Sequence, residues 1–464
     1  MKTSHKLLAA VVVATGAYAA TSWWLGGQVE AQYTARLERT SQLLAGKLTW
    51  QRTYRRGLFS SSQDWVISIP MADPSGAGGQ APVRVRLHSD IRHGPVASGK
   101  LVAAVDHTRV EHIEGLPREL VQNVKLGGPL TATTVQELRG TWRSDVNMPG
   151  GTAMLQLDGD DGTLAVTWEP AQTRVRGDSS YREVNGTTRW AGLHADVAQA
   201  DRQAALTLTD WSSRYHVNLD ADAWLLTPAH VSATVGSFLL TETSAGPADS
   251  STPAFSLSNI EYDLDRSASG DFIELRQNLG AEGQLGAISL DKLEAEQTLE
   301  RLDQQALREL QPLLLAALFS GSPQEALDEQ ALESVMRQLT DAGPAYSERI
   351  SAILDGASGH LQWRVALAPK TSAPGGSRLA LPFQLELLSR LSGQAQLQLP
   401  ESWLPAIARQ VQETGGPSAE ALQEQLDALV AQGLLRKDGS DYTLHGEYGD
   451  GRLSINGQTV FSLR

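Results

Sequence analysis

The sequence of 464 residues contains no cysteine, which excludes disulfides, thiolate nucleophiles and cysteine-ligated metal ions. Basic residues are also few, since 39 Lys and Arg stand against 53 Asp and Glu and give a formal net charge of -14. Nucleic acids and anionic lipid headgroups attract a dense basic surface, so this balance argues against both as main partners. The 41% hydrophobic content is ordinary for a folded chain. Without disulfides, the stability of the folded chain must come from its core.

Sequence signatures of catalysis are missing as well. The chain has no Gly-x-Ser-x-Gly elbow, no His-Glu-x-x-His helix and no complete Walker loop. Carboxylate pairs such as those of glycosidases carry no sequence signature, so the 53 acidic residues leave that chemistry open. We therefore favour a non-enzymatic protein and assign no catalytic, cofactor-binding or metal-binding residue.

The longest uncharged run extends from Leu7 to Leu25 and follows a short head that contains Lys2 and Lys6. A helix rising about 1.5 Å per residue needs roughly 20 apolar residues to cross a bilayer core, and this run just reaches that length. Trp23 and Trp24 at its far end suit a membrane interface. The run predicts a single-pass inner-membrane anchor with the N-terminus in the cytoplasm and the bulk in the periplasm.

The same residues also fit a removable signal peptide. Ala17-Tyr18-Ala19 has the small-x-small form of a signal-peptidase site and follows a short apolar run. Cleavage after Ala19 would leave a soluble periplasmic protein. The sequence leaves both readings open.

Hydrophobic periodicity beyond this segment predicts an α+β fold that is predominantly antiparallel β. We expect a long curved amphipathic sheet with a helical hairpin insertion and an N-terminal transmembrane or signal-anchor helix. The predicted units are the cytoplasmic head and membrane segment, a linker helix leading away from the membrane, a β-rich ectodomain, the helical insertion, and C-terminal strands with two helices and a closing hairpin. Their boundaries are 1–27, 28–46, 47–300, 301–356 and 357–464.

Three local expectations in the second half follow from the same patterns. Gly343-Pro344 should end the helical hairpin, and Tyr346 to Leu354 should form a shorter helix. Leu379 to Leu387 alternate as in a strand. Ser418 should cap the last helix, which ends at Gly433.

Two groups of residues resemble metal ligands. His88, His93, His107 and His112 fall in one stretch, but His88 and His93, like His107 and His112, are five residues apart. On a strand this spacing points the two rings to opposite faces, so we interpret the four as unrelated.

The second group, Asp158, Asp160 and Glu169, has part of the spacing of a calcium loop. Gly162 stands at the fifth position, where such a loop requires glycine at the sixth. We interpret residues 158–162 as a hairpin turn.

Arg52, Arg55 and Arg56 form the one basic cluster near the predicted membrane segment. Such a cluster could contact lipid headgroups. We favour a strand edge that its cations protect from pairing with another chain.

Two sequence motifs resemble the YdgA-like family of uncharacterised Gram-negative envelope proteins. The resemblance implies an inner-membrane-attached or periplasmic protein and no established reaction. The N-terminal motif consists of Tyr54, Arg55, Arg56, Gly57, Leu58, Phe59, Ser60, Ser61 and Ser62, with His93, Gly94 and Pro95 some thirty residues later. The C-terminal motif consists of a helix over residues 429–435, Tyr442, and the run Gly451-Arg452-Leu453-Ser454-Ile455-Asn456-Gly457.

We interpret the motif residues as turns that define the fold. Gly57 would permit a positive φ where the first strand turns, and Gly94-Pro95 is turn chemistry. Gly451 and Asn456-Gly457 suit tight hairpin ends.

Three functions fit these observations. A long amphipathic sheet that few helices cover must curl or present a groove, so the leading hypothesis is a protein that binds or shields hydrophobic cargo, either lipid or a lipidated partner. The second is a periplasmic scaffold that acts through another envelope protein or as a homodimer. The third is a periplasmic hydrolase with a carboxylate pair on the polar face of the sheet.

Overall fold

The computed structural model describes residues 2–43, 49–70, 82–115, 123–156, 162–198, 202–219, 224–244, 253–286, 288–319, 329–370, 383–412 and 416–462. Within these ranges the protein is one antiparallel sheet of 23 strands, a separate two-stranded ribbon and six α-helices. Many of the strands are long because β-branched and aromatic residues alternate with polar ones over 14 to 17 residues.

The strands are numbered along the chain. Their bounds are β1 (Thr49–Arg56), β2 (Ser60–Ile69), β3 (Val83–His93), β4 (Val96–Ala97), β5 (Lys100–Leu101), β6 (Ala104–Glu114), β7 (Val124–Leu126), β8 (Thr131–Gln136), β9 (Trp142–Met148), β10 (Gly151–Gln156), β11 (Thr163–Trp168), β12 (Ala171–Gly177), β13 (Glu183–Ala198), β14 (Arg202–Asn218), β15 (Ala229–Ser244), β16 (Pro253–Ser269), β17 (Phe272–Leu285), β18 (Ile288–Asp303), β19 (Ala345–Leu354), β20 (Ala357–Leu367), β21 (Leu391–Pro400), β22 (Arg436–Asp438), β23 (Asp441–Gly449), β24 (Arg452–Ile455) and β25 (Gln458–Ser462).

The sheet begins at β1, which pairs with β2, and continues through β3, β6, β8, β9 and β12 to β13. From β13 to β21 each strand pairs with the next along the chain, and β23, β24 and β25 complete the sheet. A side branch of β7, β10 and β11 joins β13, and β22 pairs with β23. Strands β4 and β5 form the separate ribbon.

The helices lie near the two ends of the sheet and beside β18. They are α1 (Lys2–Leu43), α2 (Gln304–Phe319), α3 (Glu329–Asp341), α4 (Phe383–Arg390), α5 (Leu404–Gln412) and α6 (Ala419–Ala431). Short 3-10 turns cover Trp224–Leu226 and Glu401–Trp403. Ser418 caps α6 and accepts a hydrogen bond from the Ala421 amide, as the sequence predicts.

The buried core is divided into four small clusters. Val29 of α1 packs with Ile91 and Ala104, and a neighbouring cluster centres on Val105 and Val135. In the third cluster, residues of α2 and α3 pack with Ile273 and the Trp224–Leu226 turn, and in the fourth Leu404 of α5 packs with Leu435 and Tyr442. The clusters therefore mark where helices or the β4–β5 ribbon cover the sheet.

The antiparallel β-rich fold, the helical hairpin and the closing hairpin are confirmed. Two local expectations are wrong. Residues Ala345–Leu354 form strand β19 instead of a helix, because they pair along their length with both β18 and β20. Residues Phe383–Arg390 form helix α4, although the alternation at Leu379 to Leu387 favours a strand. Residues 371–382 lie outside the described ranges.

Residues 28–46 are also not a separate linker helix. Helix α1 runs without interruption from Lys2 to Leu43, and its second half packs back onto the sheet instead of leading away. Among the described residues, no helix combines the length and apolar content needed to cross a membrane. The side chains of Leu7 to Ala14, the most apolar part of the predicted anchor, lie outside the described residues, so the anchor stays a prediction.

Candidate functional site

One face of the sheet is apolar over its central strands. Residues paired directly across an antiparallel ladder lie on the same face, so the registers define rows of neighbouring side chains. One row consists of Trp168, Leu193, Leu208, Phe238 and Leu257, and the adjacent row consists of Val166, Ala195, Leu206, Leu240, Phe255 and Leu285. We call the side that carries these rows the apolar face.

The opposite side, which we call the polar face, carries the intervening residues. On β13 the polar-face residues Asn185, Thr187, Arg189, His194 and Asp196 are all exposed. The apolar-face residues of the same strand, such as Val184, Trp190 and Leu193, are half-buried. The predicted amphipathic sheet is therefore present.

The two rows at the centre of the apolar face belong to none of the four buried clusters formed by described residues. Their members stay partly exposed, and Phe238 and Phe255 pack edge to face at 5.6 Å between ring centroids. A single sheet must bury its apolar side against another layer. Among the described residues, no second layer covers the two central rows of the apolar face.

The apolar face continues to the N-terminal edge, where α1 covers it. A third row leads from Leu279 of β17 through Tyr262, Ala233, Ser213, Thr188, Thr173, Val146, Ala132, Thr108 and Ser89 to Gln63. Leu279, Ala281, Gly283 and Leu285 alternate regularly along β17, which joins this row to the central ones. Helix α1 therefore docks on the same face, over β1, β2, β3 and β6.

A buried polar network holds α1 at this position. The Tyr33 hydroxyl of α1 donates to Asp106 Oδ2 at 2.5 Å, and Thr108 Oγ1 donates to Asp106 Oδ1 at 3.2 Å. Ser89 Oγ lies 2.7 Å from Thr108 Oγ1. Burial raises the pKa of the Asp106 carboxyl, and the hydrogen bonds from Tyr33 and Thr108 act against that shift.

The basic cluster has a different role from the predicted edge protection. The Arg52 guanidinium lies 4.7 Å from the ring centroid of Tyr54 and 5.2 Å from that of Trp65, and its Nε donates to Gln63 Oε1 at 3.2 Å. Arg56 stacks 3.8 Å from the Trp23 ring and donates to the Trp23 carbonyl of α1. Only Arg55 is exposed, because it points to the other face of β1. Two of the three arginines therefore bind the helix and its docking surface.

His93 lies at the centre of the docked helix. Its ring is 2% exposed, its Nε2 lies 2.9 Å from Ser61 Oγ, and Gly26 of α1 packs against it. Burial lowers the pKa of His93, and the nearby Arg56 charge acts in the same direction. Ser22 of α1 donates to the Gly94 carbonyl next to it. The His93-Gly94-Pro95 motif is thus part of the helix-docking surface.

The rest of the N-terminal motif surrounds the same contact. Leu58 and Phe59 are about half exposed, and Phe59 stacks on Tyr18 of α1 at 5.9 Å between centroids. Gly57 does not adopt the predicted positive φ, since it is absent from the left-handed region. Its role is close approach, because a Cβ there would lie 2.7 Å from the Ser60 carbonyl oxygen. The Gly94-Pro95 peptide is cis, and a Cβ on Gly94 would overlap the Val102 carbonyl.

The C-terminal motif forms the predicted hairpin ends. Gly451, Asn456 and Gly457 have φ values of 70°, 50° and 84°. Asn456 Oδ1 accepts from the His445 amide at 3.0 Å, and Nδ2 donates to the Leu434 carbonyl at 3.1 Å. Tyr442 is fully buried and donates to Asp427 of α6 at 2.9 Å. These residues fasten α6 to the last hairpin.

The predicted separation of the histidines is confirmed for His88 and His93. It is wrong for His107 and His112, which pair with Asp90 and Arg86 on one face of β3 because the register shifts between Arg86 and Leu87. His88 lies on the polar face with Nδ1 2.7 Å from Asp64 Oδ1, whereas His93 lies on the apolar face. Within the described ranges, no group of three or more His, Asp or Glu side chains is placed to hold a metal ion. Asp158 and Asp160 lie outside those ranges.

A known protein family matches nearly the whole chain, including the motifs at both ends. The model of a bacterial protein family of unknown function, DUF945, matches residues 1–461. The chain belongs to this family. The DUF945 match covers the residues of α1 together with those of the sheet. Among curated proteins, none matches the chain.

Sequence reasoning did not single out several residues of the docking surface in this DUF945 protein. Tyr33, Asp106 and Gly26 belong to none of the recognised motifs, yet they contact or surround His93 and Ser89. The available signals were the aspartate that directly follows the apolar run 102–105 and the Gly26-Gly27 pair inside a helix. Both are residues that helices and buried strands normally exclude.

Proposed function

We propose that the apolar face binds hydrophobic cargo, namely the acyl chains of lipid. The observation that carries the proposal is the pair of apolar rows on β11 and β13–β17, which no described buried cluster includes. Strands β13 to β17 have 14 to 17 residues, and at about 3.3 Å per residue they give a surface roughly 50 Å long. That length suits extended chains better than a compact ligand.

The chemistry of the face supports an uncharged ligand. Among the side chains that the structure describes on β13–β18, the charged ones on the apolar face are Glu242 at one end and Arg266 at the other. Between them lie aliphatic and aromatic residues with a few threonines, serines and glutamines. A ligand with polar groups along its length would lose water there without gaining partners.

The position of α1 supports delivery from a membrane. The helix docks at the edge of the same apolar face, and its N-terminal half contains the Leu7 to Leu25 run. We propose that this run holds the chain at the inner membrane, with the N-terminus in the cytoplasm and the sheet in the periplasm. Because Tyr18, Ser22 and Trp23 contact the sheet, only the residues before Tyr18 are left for the bilayer, which is fewer than the roughly 20 of a full span. If Ala19 is instead a cleavage site, Ser22, Leu25 and Gly26 would still remain on the sheet. We also keep the narrower resemblance to the YdgA-like family as part of this proposal.

The hydrolase alternative places its carboxylate pair on the polar face, so the chemistry of the apolar face does not bear on it. The apolar face itself offers no such pair. In the described strands it carries three acidic side chains, Asp106 on β6, Glu242 on β15 and Glu348 on β19. No two of these strands are neighbours, whereas glycoside hydrolysis needs two carboxyl groups within roughly 5 to 10 Å. The scaffold alternative, with an envelope protein or a second copy on the apolar face, is an outcome of the test below.

The test compares two neighbouring substitutions on β14 in the full chain, extracted in mild detergent. Leu208→Glu places a charge on the apolar face, and Thr207→Glu places the same charge on the polar face. Mass spectrometry after organic extraction measures phospholipid per chain. We expect Leu208→Glu to lower it at least fivefold and Thr207→Glu to leave it unchanged.

Two outcomes would contradict the proposal. One is equal lipid content in both variants and the unmodified protein, which would show that the lipid only surrounds α1. The other is a stoichiometric protein bound in place of lipid and lost in Leu208→Glu, which would support the scaffold. Thermal unfolding of both variants checks that each is folded.

A further inference from the structure

The polar face carries a group of arginines centred on Thr187 of β13. Thr187 pairs with Arg174 of β12 on one side and with Arg214 of β14 on the other. Arg189 stands two residues further along β13, on the same face, and Arg176 stands two residues from Arg174 on β12. Direct neighbours in a sheet are about 5 Å apart and diagonal ones about 7 to 8 Å, so these long side chains can meet over Thr187. We call the four the arginine ring.

The charge of the ring is largely uncompensated. Arg174 Nε contacts Asp145 Oδ1 at 2.6 Å. In the part of the chain that the structure describes, Arg176, Arg189 and Arg214 have no carboxylate within 4.0 Å. Some arginines elsewhere on the polar face are paired, such as Arg276 with Glu296 at 3.8 Å and Arg364 with Glu300 at 2.7 Å. Unpaired cations stand out in a chain with a net charge of -14.

The surroundings of the ring consist largely of hydrogen-bonding groups. The four arginines line a cavity of about 460 Å³ together with Asn185, Thr187 and Ser212. Guanidinium forks bind the oxygens of a phosphate group two at a time, and hydroxyl and amide groups add further donors. Asp145, the one acidic residue at the cavity, is already engaged by Arg174.

We propose that the arginine ring is a binding site for a phosphate-bearing ligand. The site lies on the polar face, so it does not depend on lipid binding by the apolar face. Such a phosphate group could belong to a free phosphorylated molecule or to a lipid headgroup. The negative net charge weighs against broad attraction of anionic surfaces, but a local ring of four cations selects a compact anion.

The test uses the full chain in uncharged detergent and isothermal titration calorimetry at low ionic strength. Inorganic pyrophosphate is the first probe, and the short-chain lipid dihexanoyl phosphatidylglycerol is the second. We expect Arg189→Gln combined with Arg214→Gln to weaken binding at least tenfold. The control, Arg276→Gln, removes a cation from the same face but outside the ring and should leave binding unchanged.

The two probes distinguish the source of the phosphate. Tighter binding of pyrophosphate supports a free phosphorylated ligand, and tighter binding of the short-chain lipid supports a headgroup. In either case the substitutions in the arginine ring must weaken that binding. The proposal is overturned if neither probe binds, or if binding survives the ring substitutions. Arg189→Lys with Arg214→Lys, which keeps the charge and loses the fork, should give an intermediate affinity.

Discussion

The imidazole of His93 lies directly against the backbone of Gly26, so a strand residue and a helix residue 67 positions apart form one contact. A Cβ added to Gly26 would overlap His93 Cε1 and lie 2.6 Å from His93 Nδ1. The ring is 2% exposed and its Nε2 lies 2.9 Å from Ser61 Oγ, so it cannot move away from Gly26 without disturbing that contact. Glycine at this point of α1 is therefore a requirement of docking, although glycine lowers the stability of a helix interior.

The first prediction concerns this contact. Gly26→Ala should lower the free energy of unfolding by about 1 to 3 kcal/mol, because overpacking outweighs the gain in helix propensity of about 1 kcal/mol. The matched control is Gly16→Ala in the same helix, where nothing lies within 4 Å of the added Cβ. Thermal unfolding followed by near-ultraviolet circular dichroism compares the two variants.

The control substitution should leave the melting temperature unchanged or raise it. A second variant, Gly26→Ala with His93→Ala, should recover part of the loss because the ring no longer occupies the space. If Gly26→Ala is as stable as Gly16→Ala, then α1 does not dock through His93.

The second prediction concerns pH. Burial lowers the pKa of His93 in the folded protein below the ordinary value of 6.5. Between the folded pKa and 6.5 the unfolded chain binds more protons than the folded protein. The contribution of neutral His93 to the free energy of unfolding is therefore present above pH 6.5 and is lost as the pH falls toward the folded pKa. The loss amounts to at most about 1.4 kcal/mol per pH unit.

His93→Gln isolates this contribution from those of other histidines. The pKa of His88 is raised by its hydrogen bond to Asp64, so its contribution has the opposite sign and is present in both proteins. Denaturant unfolding at pH 5.5 and 7.5 should show a smaller difference in His93→Gln than in the unmodified protein. Equal differences would mean that His93 is not buried as a neutral ring.

The third prediction concerns the different contributions of Arg52 and Arg55 of β1 to stability. Arg52→Ala removes a guanidinium from between Tyr54 and Trp65 and its hydrogen bond to Gln63, and should cost about 2 kcal/mol of unfolding free energy. Arg55→Ala, three residues away on the exposed face, should cost less than about 0.5 kcal/mol. Equal effects would instead support the interpretation of all three cations as protection of an edge strand.

The sequence predicts the sheet because its period of two depends on local residues that can be read directly. Leu206, Leu208, Leu240 and Phe255 alternate with polar residues, and the registers place them side by side. Chain segments with ambiguous periods were less predictable. Tyr346 to Leu354 contain alternating as well as helical spacings, and pairing with β18 and β20 decides in favour of the strand.

The helix-docking surface was beyond sequence reasoning for a physical reason. The motif residues Arg56, Ser61 and His93 were found, but their common function depends on contacts with Trp23, Ser22 and Gly26. Those contacts join residues 33 to 72 positions apart, and no local period records them. The interpretation of the motif as turns was correct for its C-terminal half and incomplete for its N-terminal half.

The last prediction concerns the charge buried beneath α1. Asp106 is 3% exposed, and burial raises the pKa of its carboxyl above the ordinary value of 3.8. A group whose folded pKa is raised contributes stability at low pH and loses it as the pH rises through that pKa. The ionised carboxylate at pH 7 is therefore a net cost, which the hydrogen bonds from Tyr33 and Thr108 reduce.

Asp106→Asn keeps an acceptor oxygen for Tyr33 and removes the charge. Its melting temperature should equal or exceed that of the unmodified protein at pH 7, by the equivalent of up to about 1 kcal/mol, with a smaller advantage at pH 4. Asp106→Ala leaves the hydroxyls of Tyr33 and Thr108 without that acceptor and should cost about 1 to 3 kcal/mol at both pH values. A loss of stability in Asp106→Asn that is larger at pH 7 than at pH 4 would show that α1 is held by the ionised carboxylate, and that its hydrogen bonds outweigh the cost of burying it.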